Sequence, residues 1–438
     1  MLLLYRFLGT LSLPDRSNNL VKRSLFLGII AQFAFMISST FYVLFVLDIV
    51  NYELLGTLLA VQFLVQAILD YPTGVLADWI GQRWVMVFAY FSYSISFYLL
   101  SIATTFEALV IVYAISAIGS SQESGTWGAW FDNNYKVSTE GKDDERKIYR
   151  LMQSRMEMLI QISASFVFII GGFLATYFGR PIIFQYQALA ILIFALLVVF
   201  LVTDYPEIER EPRSLRNYFR LMGKGLYFVL FTKYLLLFVI GMMITTSIWV
   251  IWSQMILFPM YFRYSGTDFG ANLFRVLAWV IMIIITFFAG KWSMNISIKK
   301  YPGLKFIHQL MFFGGFAIII FFYPLNHTRI EYFAIFLVLF LFTITDVIYI
   351  ITSLLEQSLF IDVIPDANRN SIYSLLPTLI LLFNAPVVLI SGTVINIIGI
   401  PATLLLLVII GTIGVFFQYL AIQLLPQKKK KSIEVYTN

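Results

Sequence analysis

Cysteine is absent from the chain, so disulfide bridges and thiolate metal centres are excluded at the outset. Histidine is almost as scarce. His308 and His327 are the only two, too few for a buried imidazole relay or a histidine-built metal site. No Gly-x-x-x-x-Gly-Lys-Ser/Thr stretch occurs, which removes the usual phosphate cradle for ATP. No Ser, His and Asp fall within one plausible layer, so a hydrolytic triad is not expected. Charge is short too, at 12% of residues. An enzyme reading therefore has almost no support, and neither a cofactor nor a metal is expected.

What the chain has in abundance is apolar surface: 60% of its 438 residues are hydrophobic and 17% aromatic, and the mean hydropathy is +0.85. No soluble domain of this length can hide so much in one core, so lipid must be the solvent for most of it. The formal charge of +6 is spread over short loops and the tail. That distribution fits membrane orientation and gives no folded basic face for nucleic acid. The N-terminus has no small-residue cleavage site after a short apolar core, and its first long apolar stretch is expected to stay as an anchor.

A helix needs roughly 20 apolar residues to cross the hydrocarbon core. Twelve segments qualify: 25–50, 53–79, 84–105, 107–131, 150–178, 181–203, 232–262, 270–292, 304–324, 330–357, 370–398 and 401–425. The turns at Thr104 to Glu107 and at Ile398 to Pro401 are very short. With the N-terminus inside, twenty-four Lys and Arg fall on the inner side and four (Arg180, Arg263, Arg275 and Arg329) on the outer side. The positive-inside rule then places both termini in the cytoplasm. The expected fold is all-α and membrane-integral, with twelve transmembrane helices in two pseudo-symmetric six-helix bundles, 1–204 and 232–425. Between them, 205–231 reads as a cytoplasmic linker with an amphipathic basic helix on the anionic inner leaflet, Tyr218, Phe219 and Leu221 dipping into lipid. A basic cytoplasmic tail, 426–438, closes the chain. Two halves joined this way is the layout of a transporter built from repeats.

At the end of the second span, "DYPTGVLADWIGQRW" (Asp70 to Trp84) packs charge around small residues. Gly74 lets another helix approach, Gly81 permits a positive backbone angle, and Asp78 can accept from backbone N–H groups or a cation such as Arg83. Those are the requirements of a conformational latch. The stretch resembles the major facilitator superfamily, whose loop at this place carries Gly-x-Leu-Ala-Asp-Arg-x-Gly-Arg-Lys/Arg. Here Trp79 and Gln82 depart from that pattern. "SGTWGAWFD" (Ser124 to Asp132) and "IPDANRNSIYSL" (Ile364 to Leu375) are similar to motifs of microbial members. The resemblance implies a cytoplasmic charge cluster of Asp78, Arg83 and Asp132, with Arg369 opening the eleventh helix, formed in the outward-open state and broken as the halves rock. The equivalent loop of the second half, "AGKWSMNISIKK", has Asn295 where an acid is expected, so its latch should be weaker or absent.

Ionisable groups at bilayer depth are functional candidates. At 1.5 Å per residue, Asp70 lies about 12 Å inward from Asp78, Glu123 about 13 Å inward from Asp132, and Glu157 about 10 Å from Arg150. Gln62, Gln66 and Asp70 form one polar stripe that cannot face lipid. Arg155 is two residues from Glu157, on another helix face, and is expected to reach Asp70 or the loop cluster instead. The resemblance makes helices 1, 4, 7 and 10 the walls of a central cavity. It therefore implicates Ser39, Tyr42, Gln122, Trp249, Trp252, Ser253, Gln254 and Tyr349 in substrate contact, and Glu123, Asp346 and Asp70, with Glu157 and Arg155, in proton coupling. Helix 5 has Gly171-Gly172 where the drug-antiporter motif has Gly-Pro, and helix 4 has no central Arg, which weakens drug export. The expected function is a monomeric plasma-membrane secondary transporter that moves a small solute by alternating access with H+ coupling. The open alternatives are a uniporter or exchanger of organic solutes and, from another class, a non-transporting receptor or scaffold with the same fold.

Overall fold

Backbone in lipid has no water to bond with, so an apolar chain must close its N–H and C=O groups on itself. This one does so with helices, and no strand occurs among the described residues. The computed structural model describes residues 2–143, 146–208, 215–293, 296–325, 328, 330–364 and 369–425. The helices are α1 (Leu2–Leu8), α2 (Asp15–Met36), α3 (Tyr42–Ile49), α4 (Tyr52–Ile80), α5 (Gln82–Ile102), α6 (Phe106–Glu123), α7 (Thr126–Ser138), α8 (Lys147–Phe178) and α9 (Arg180–Leu201). They continue with α10 (Leu215–Phe231), α11 (Lys233–Ile251), α12 (Leu257–Ser265), α13 (Asp268–Ser293), α14 (Tyr301–Gln309), α15 (Gly315–Phe322), α16 (Tyr332–Val363) and α17 (Arg369–Gln423). Two wide π turns, Trp252–Ile256 and Leu310–Gly314, join α11 to α12 and α14 to α15.

Ten helices among the described residues are long and apolar enough to cross a membrane, against the twelve spans expected. Two local features account for the difference. The fourth expected span is broken at Ser124 and Gly125, the latter in the left-handed region at φ 71°, so α6 is only 18 residues long and ends on Gln122 and Glu123. The last two expected spans run on as α17, interrupted by the non-helical Gly399 at φ 78°, ψ 170°. At the other short turn, Thr105 caps α6 by accepting from the Ala108 N–H at 3.3 Å.

The chain divides into two compact units, Met1–Phe45 with Val65–Leu215, and Val46–Leu64 with Arg216–Asn438. In the first, α2, α5, α7, α8 and α9 share one core in which Phe35, Tyr90 and Phe194 pack at centroid distances of 4.9 to 6.1 Å. Such tilted and edge contacts add to the area buried. In the second, α11 and α17 cross where glycine faces glycine. A methyl on Gly241 would lie 2.5 Å from the Gly414 carbonyl oxygen. Gly-x-Pro turns of one shape recur in the two units: Gly179 at φ 82°, ψ 152° before Pro181, and Gly399 before Pro401.

After α7 the chain turns through Asp143, whose carboxylate accepts from the N–H groups of Ile148 (3.0 Å) and Tyr149 (2.8 Å) and from the Tyr135 hydroxyl (2.8 Å). Burial pushes this carboxyl up, but those donors outweigh it and hold Asp143 below the usual carboxylate range. A lowered pKa gives stability that is present above the unfolded value, near about 4, and lost as the pH falls through the folded one. Asp143→Ala is expected to cost about 1 kcal/mol as a lost helix cap. Thermal melts should show the gap to wild type narrowing below pH ~4. A gap that is constant with pH would show that the charge plays no part.

Candidate functional site

In the first unit the break at Ser124 and Gly125 gathers several of the predicted residues. Asp70 of α4 lies near the Ser124 side chain, and Glu123 near the Tyr93 hydroxyl of α5. Thr73 donates to the Asp70 carbonyl (3.0 Å) and the Ser121 carbonyl (2.9 Å), joining α4 to α6. Gln122 lies beside them with a buried side-chain oxygen that no described group reaches. Arg155 is not part of this set. Its guanidinium donates to the Phe7 carbonyl and lies over the Phe7 ring at 5.5 Å, so the expected reach to Asp70 is replaced by a tie between α8 and α1. Glu157 is on an exposed face of α8.

The Tyr42 and Tyr113 rings pack against each other at a centroid distance of 6.0 Å. Ser39 donates to the Met36 carbonyl at 2.8 Å in the turn between α2 and α3. Beside that turn, Ser38 donates to the side-chain oxygen of Gln187, whose amide donates to the Phe35 carbonyl at 3.0 Å. Gln187 is fully buried, and sequence reading missed it.

Of the latch residues, Gly81 adopts φ 91° between α4 and α5, and Arg83 lies over the Trp84 ring at 5.1 Å. Asp132 is held in a bidentate pair by Arg146 (2.6 and 3.2 Å). The surroundings of Gly74 and the side chains of Asp78 and Arg369 lie outside the described residues, as do Asn295 and the side chains of Tyr218, Phe219 and Leu221.

The second unit holds a cavity of about 310 Å³ built from α11 to α13, the second π turn and α16. It brings together five predicted residues, Trp249, Trp252, Ser253, Asp346 and Tyr349, while Gln254 is exposed and not part of the wall. The cavity also contains a residue that the charge count assigned to the outer side. Arg275 is 9% exposed within α13 and stacks on Phe258 at 4.9 Å and Trp279 at 5.9 Å. Arg275, Ala278, Trp279 and Met282 all line the cavity at i, i+3, i+4 and i+7, a helical stripe that was visible in the sequence. Asp346 is 9% exposed, and no hydrogen bond or ion pair from a described residue reaches its carboxylate.

Behind Trp249 stands His308, fully buried and parallel to the indole at 5.6 Å, with no described partner for either ring nitrogen. A buried polar atom left without a partner costs about 1–3 kcal/mol. His308→Phe keeps the ring contacts with Phe312 and Tyr349 and is expected to raise the melting temperature by several degrees in detergent. A lower melting temperature would show that the nitrogens are engaged. One turn away, Lys305 pairs with Glu356, and Gln418 donates to Glu356 (2.8 Å) while accepting from the Tyr301 hydroxyl (2.8 Å).

Helices long and apolar enough to cross a membrane here enclose a metabolite-sized, aromatic-walled cavity. The sequence profile of the Major Facilitator Superfamily matches residues 24–385, and the chain belongs to that family. It is a membrane transporter of small solutes and not an enzyme. No curated protein matches the chain. Among solved structures it is similar in fold to the nucleoside transporter NupG (14% identity, TM-score 0.68, 94% of this chain and 99% of that one). It also resembles the POT family transporter PepTSo (11%, 0.70, 96% and 99%). A third likeness is to a bacterial homologue of the human lysosomal transporter Spinster, in an inward-facing and unoccupied conformation (11%, 0.67, 93% and 97%).

Proposed function

We propose that the chain is a secondary transporter that moves its solute by alternating access, driven by a proton gradient. The cavity of the second unit carries the reading. A carboxylate without a described partner at that depth is costly unless proton or solute relieves it. Glu123, Asp70 and Asp346 are the coupling candidates, and Gly74, Asp78, Gly81, Arg83, Asp132 and Arg369 the latch. Twelve crossings support the two-bundle layout of 1–204 and 232–425. The segment Leu375–Gln423 has 49 residues, about 74 Å of helix against a core of ~30 Å, and so needs two passes divided at Gly399. The broken α6–α7 pair supplies the remaining one. Both termini are then cytoplasmic, and the charge bias suits a plasma membrane.

Reconstituted protein is expected to take up at least one solute from a panel of amino acids, nucleosides, sugars and organic acids faster under an inward proton gradient. Asp346→Asn should lower that rate at least about tenfold, ~1.4 kcal/mol in the barrier. Uptake indifferent to the gradient removes proton coupling. No uptake of any panel member, with the protein folded, favours the receptor or scaffold alternative.

A further inference from the structure

Besides the cavity of the candidate site, α11 borders a second hollow on a different face. Ile244, Ile248 and Ile251 of α11 line a groove of about 190 Å³ whose other walls are the two arms of α17, on either side of Gly399. Val387, Ile390 and Val394 come from the first arm and Leu406 and Ile410 from the second, so each helix offers one stripe at spacings of three and four. No lining residue is charged. The three hydroxyls are already committed: Ser247 donates to the Asn384 side-chain oxygen (2.6 Å), Ser391 to the Val387 carbonyl (2.7 Å) and Thr403 to the Gly399 carbonyl (2.8 Å). The groove therefore offers a guest neither a charge nor a free donor, and a polar solute would be stripped of water there without compensation.

Ile390 is 62% exposed, so the groove is open along its side. All three walls belong to apolar runs long enough to cross a membrane, Lys233–Ser265 and Leu375–Gln423. Ile390 stands nine residues before Gly399, about 14 Å along the helix. With the Gly399 turn at one face of a hydrocarbon core ~30 Å thick, the mouth opens near the bilayer midplane, where acyl chains end. Lipid tails are as apolar as these walls, so a chain gains no hydrophobic driving force by entering. It gains the dispersion contacts that an unfilled groove forfeits. An apolar cavity of roughly 150 Å³ takes benzene, so this one admits the last few methylenes of a chain. We propose that the groove binds the end of one phospholipid acyl chain, wedged between α11 and the arms of α17. Trp249 and Ser253, on another face of α11, wall the solute cavity, so the chain props that wall from behind. The prop rests on the transporter reading for its meaning, and the binding does not.

The experiment places the full-length protein in nanodiscs of phosphatidylcholine with a photoactivatable diazirine at the end of one acyl chain, and maps the labelled residues by mass spectrometry. Ile409 is the reference, being 60% exposed and ten residues past Gly399, at the depth of the mouth but outside the groove wall. Label at Val387, Ile390 and Ile410 should exceed label at Ile409 by at least about tenfold. Ser391→Phe and, separately, Val394→Phe fill the groove and should remove that excess while label at Ile409 stays. The wild-type ratio needs no variant, so it stands even if a filled variant fails to fold. Equal label at Ile409 and in the groove would overturn the proposal in favour of an unspecific ring of lipid. An excess that survives both filled variants would overturn it by placing the chain elsewhere. The second arm is diazirine-tipped palmitic acid in unlabelled phosphatidylcholine. If that probe alone labels the groove in excess, the occupant is a free fatty acid and the phospholipid assignment fails. A protein that moves no solute but shows the excess would refute transport and leave the acyl-chain site standing. Proton-driven uptake with uniform label would do the reverse.

Discussion

Lys305→Met is expected to destabilise the second unit by about 3–5 kcal/mol, because it leaves the Glu356 carboxylate in a buried place without its cation. The Lys305 and Glu356 side chains are only 8% and 17% exposed, and the Gln418 amide that remains is a single neutral donor. Replacing both ends, as Lys305→Met with Glu356→Leu, should recover most of the loss. An apolar pair of similar volume carries no desolvation cost, and only one Gln418 donor is then left over. Thermal unfolding of the single and double variants checks this. If Lys305→Met melts like wild type, the pair is not the buried ion pair described. If the double variant is the least stable of the set, the network matters through its hydrogen bonds and not through its charges.

Gly171→Val should be nearly as damaging, for a steric reason. A Cβ on Gly171 would fall inside the van der Waals envelope of the Ile37 carbonyl oxygen, and the next atom it meets is the Ile37 carbonyl carbon at 2.9 Å. That backbone forms the end of α2, just before the turn that Ser38 and Gln187 hold. It cannot swing away as a side chain would, so the cost belongs at or above the upper end of the usual overpacking range, about 3 kcal/mol. Gly128→Ala is the matched control. It lies in α7 with nothing within 4 Å of the position a methyl would take, and should gain up to about 1 kcal/mol of helix propensity. Melting temperatures of the two variants in opposite directions would support the contact, and a harmless Gly171→Val would sink it.

The helical crossings were legible because an apolar run of the right length has one solution in lipid. Individual breaks were less so. Gly399 was flagged by its neighbour Pro401, whereas the division at Ser124 and Gly125 fell inside an expected span, since a left-handed glycine leaves no trace in hydropathy. In the candidate site, Trp249, Trp252, Ser253, Asp346 and Tyr349 were readable as polar and aromatic residues at bilayer depth, and the cavity unites them. Arg275 and Lys305 were not, because the charge count read them only as marks of the outer and inner sides. A long aliphatic stem can instead carry the charged head along a helix face to an aromatic ring or a carboxylate. Tyr301, Lys305, His308 and Phe312, at spacings of three and four, were the missed signal on α14 and the π turn that follows it. The tie between Arg155 and Phe7 was beyond sequence reasoning, since it depends on where a short terminal helix comes to rest.

The two π turns bear on how the carrier could change shape. Trp252 begins one and Phe312 sits within the other, and their rings meet edge-on at 5.0 Å across the cavity wall. A wide turn holds one more residue than an α turn, and is thus a unit of slack stored in an otherwise taut rod. Drawing in that slack rotates everything beyond it by about 100° and shifts it by ~1.5 Å, with the remaining turns still hydrogen-bonded. The two rods therefore carry their slack at facing positions, beside the rings that wall the cavity.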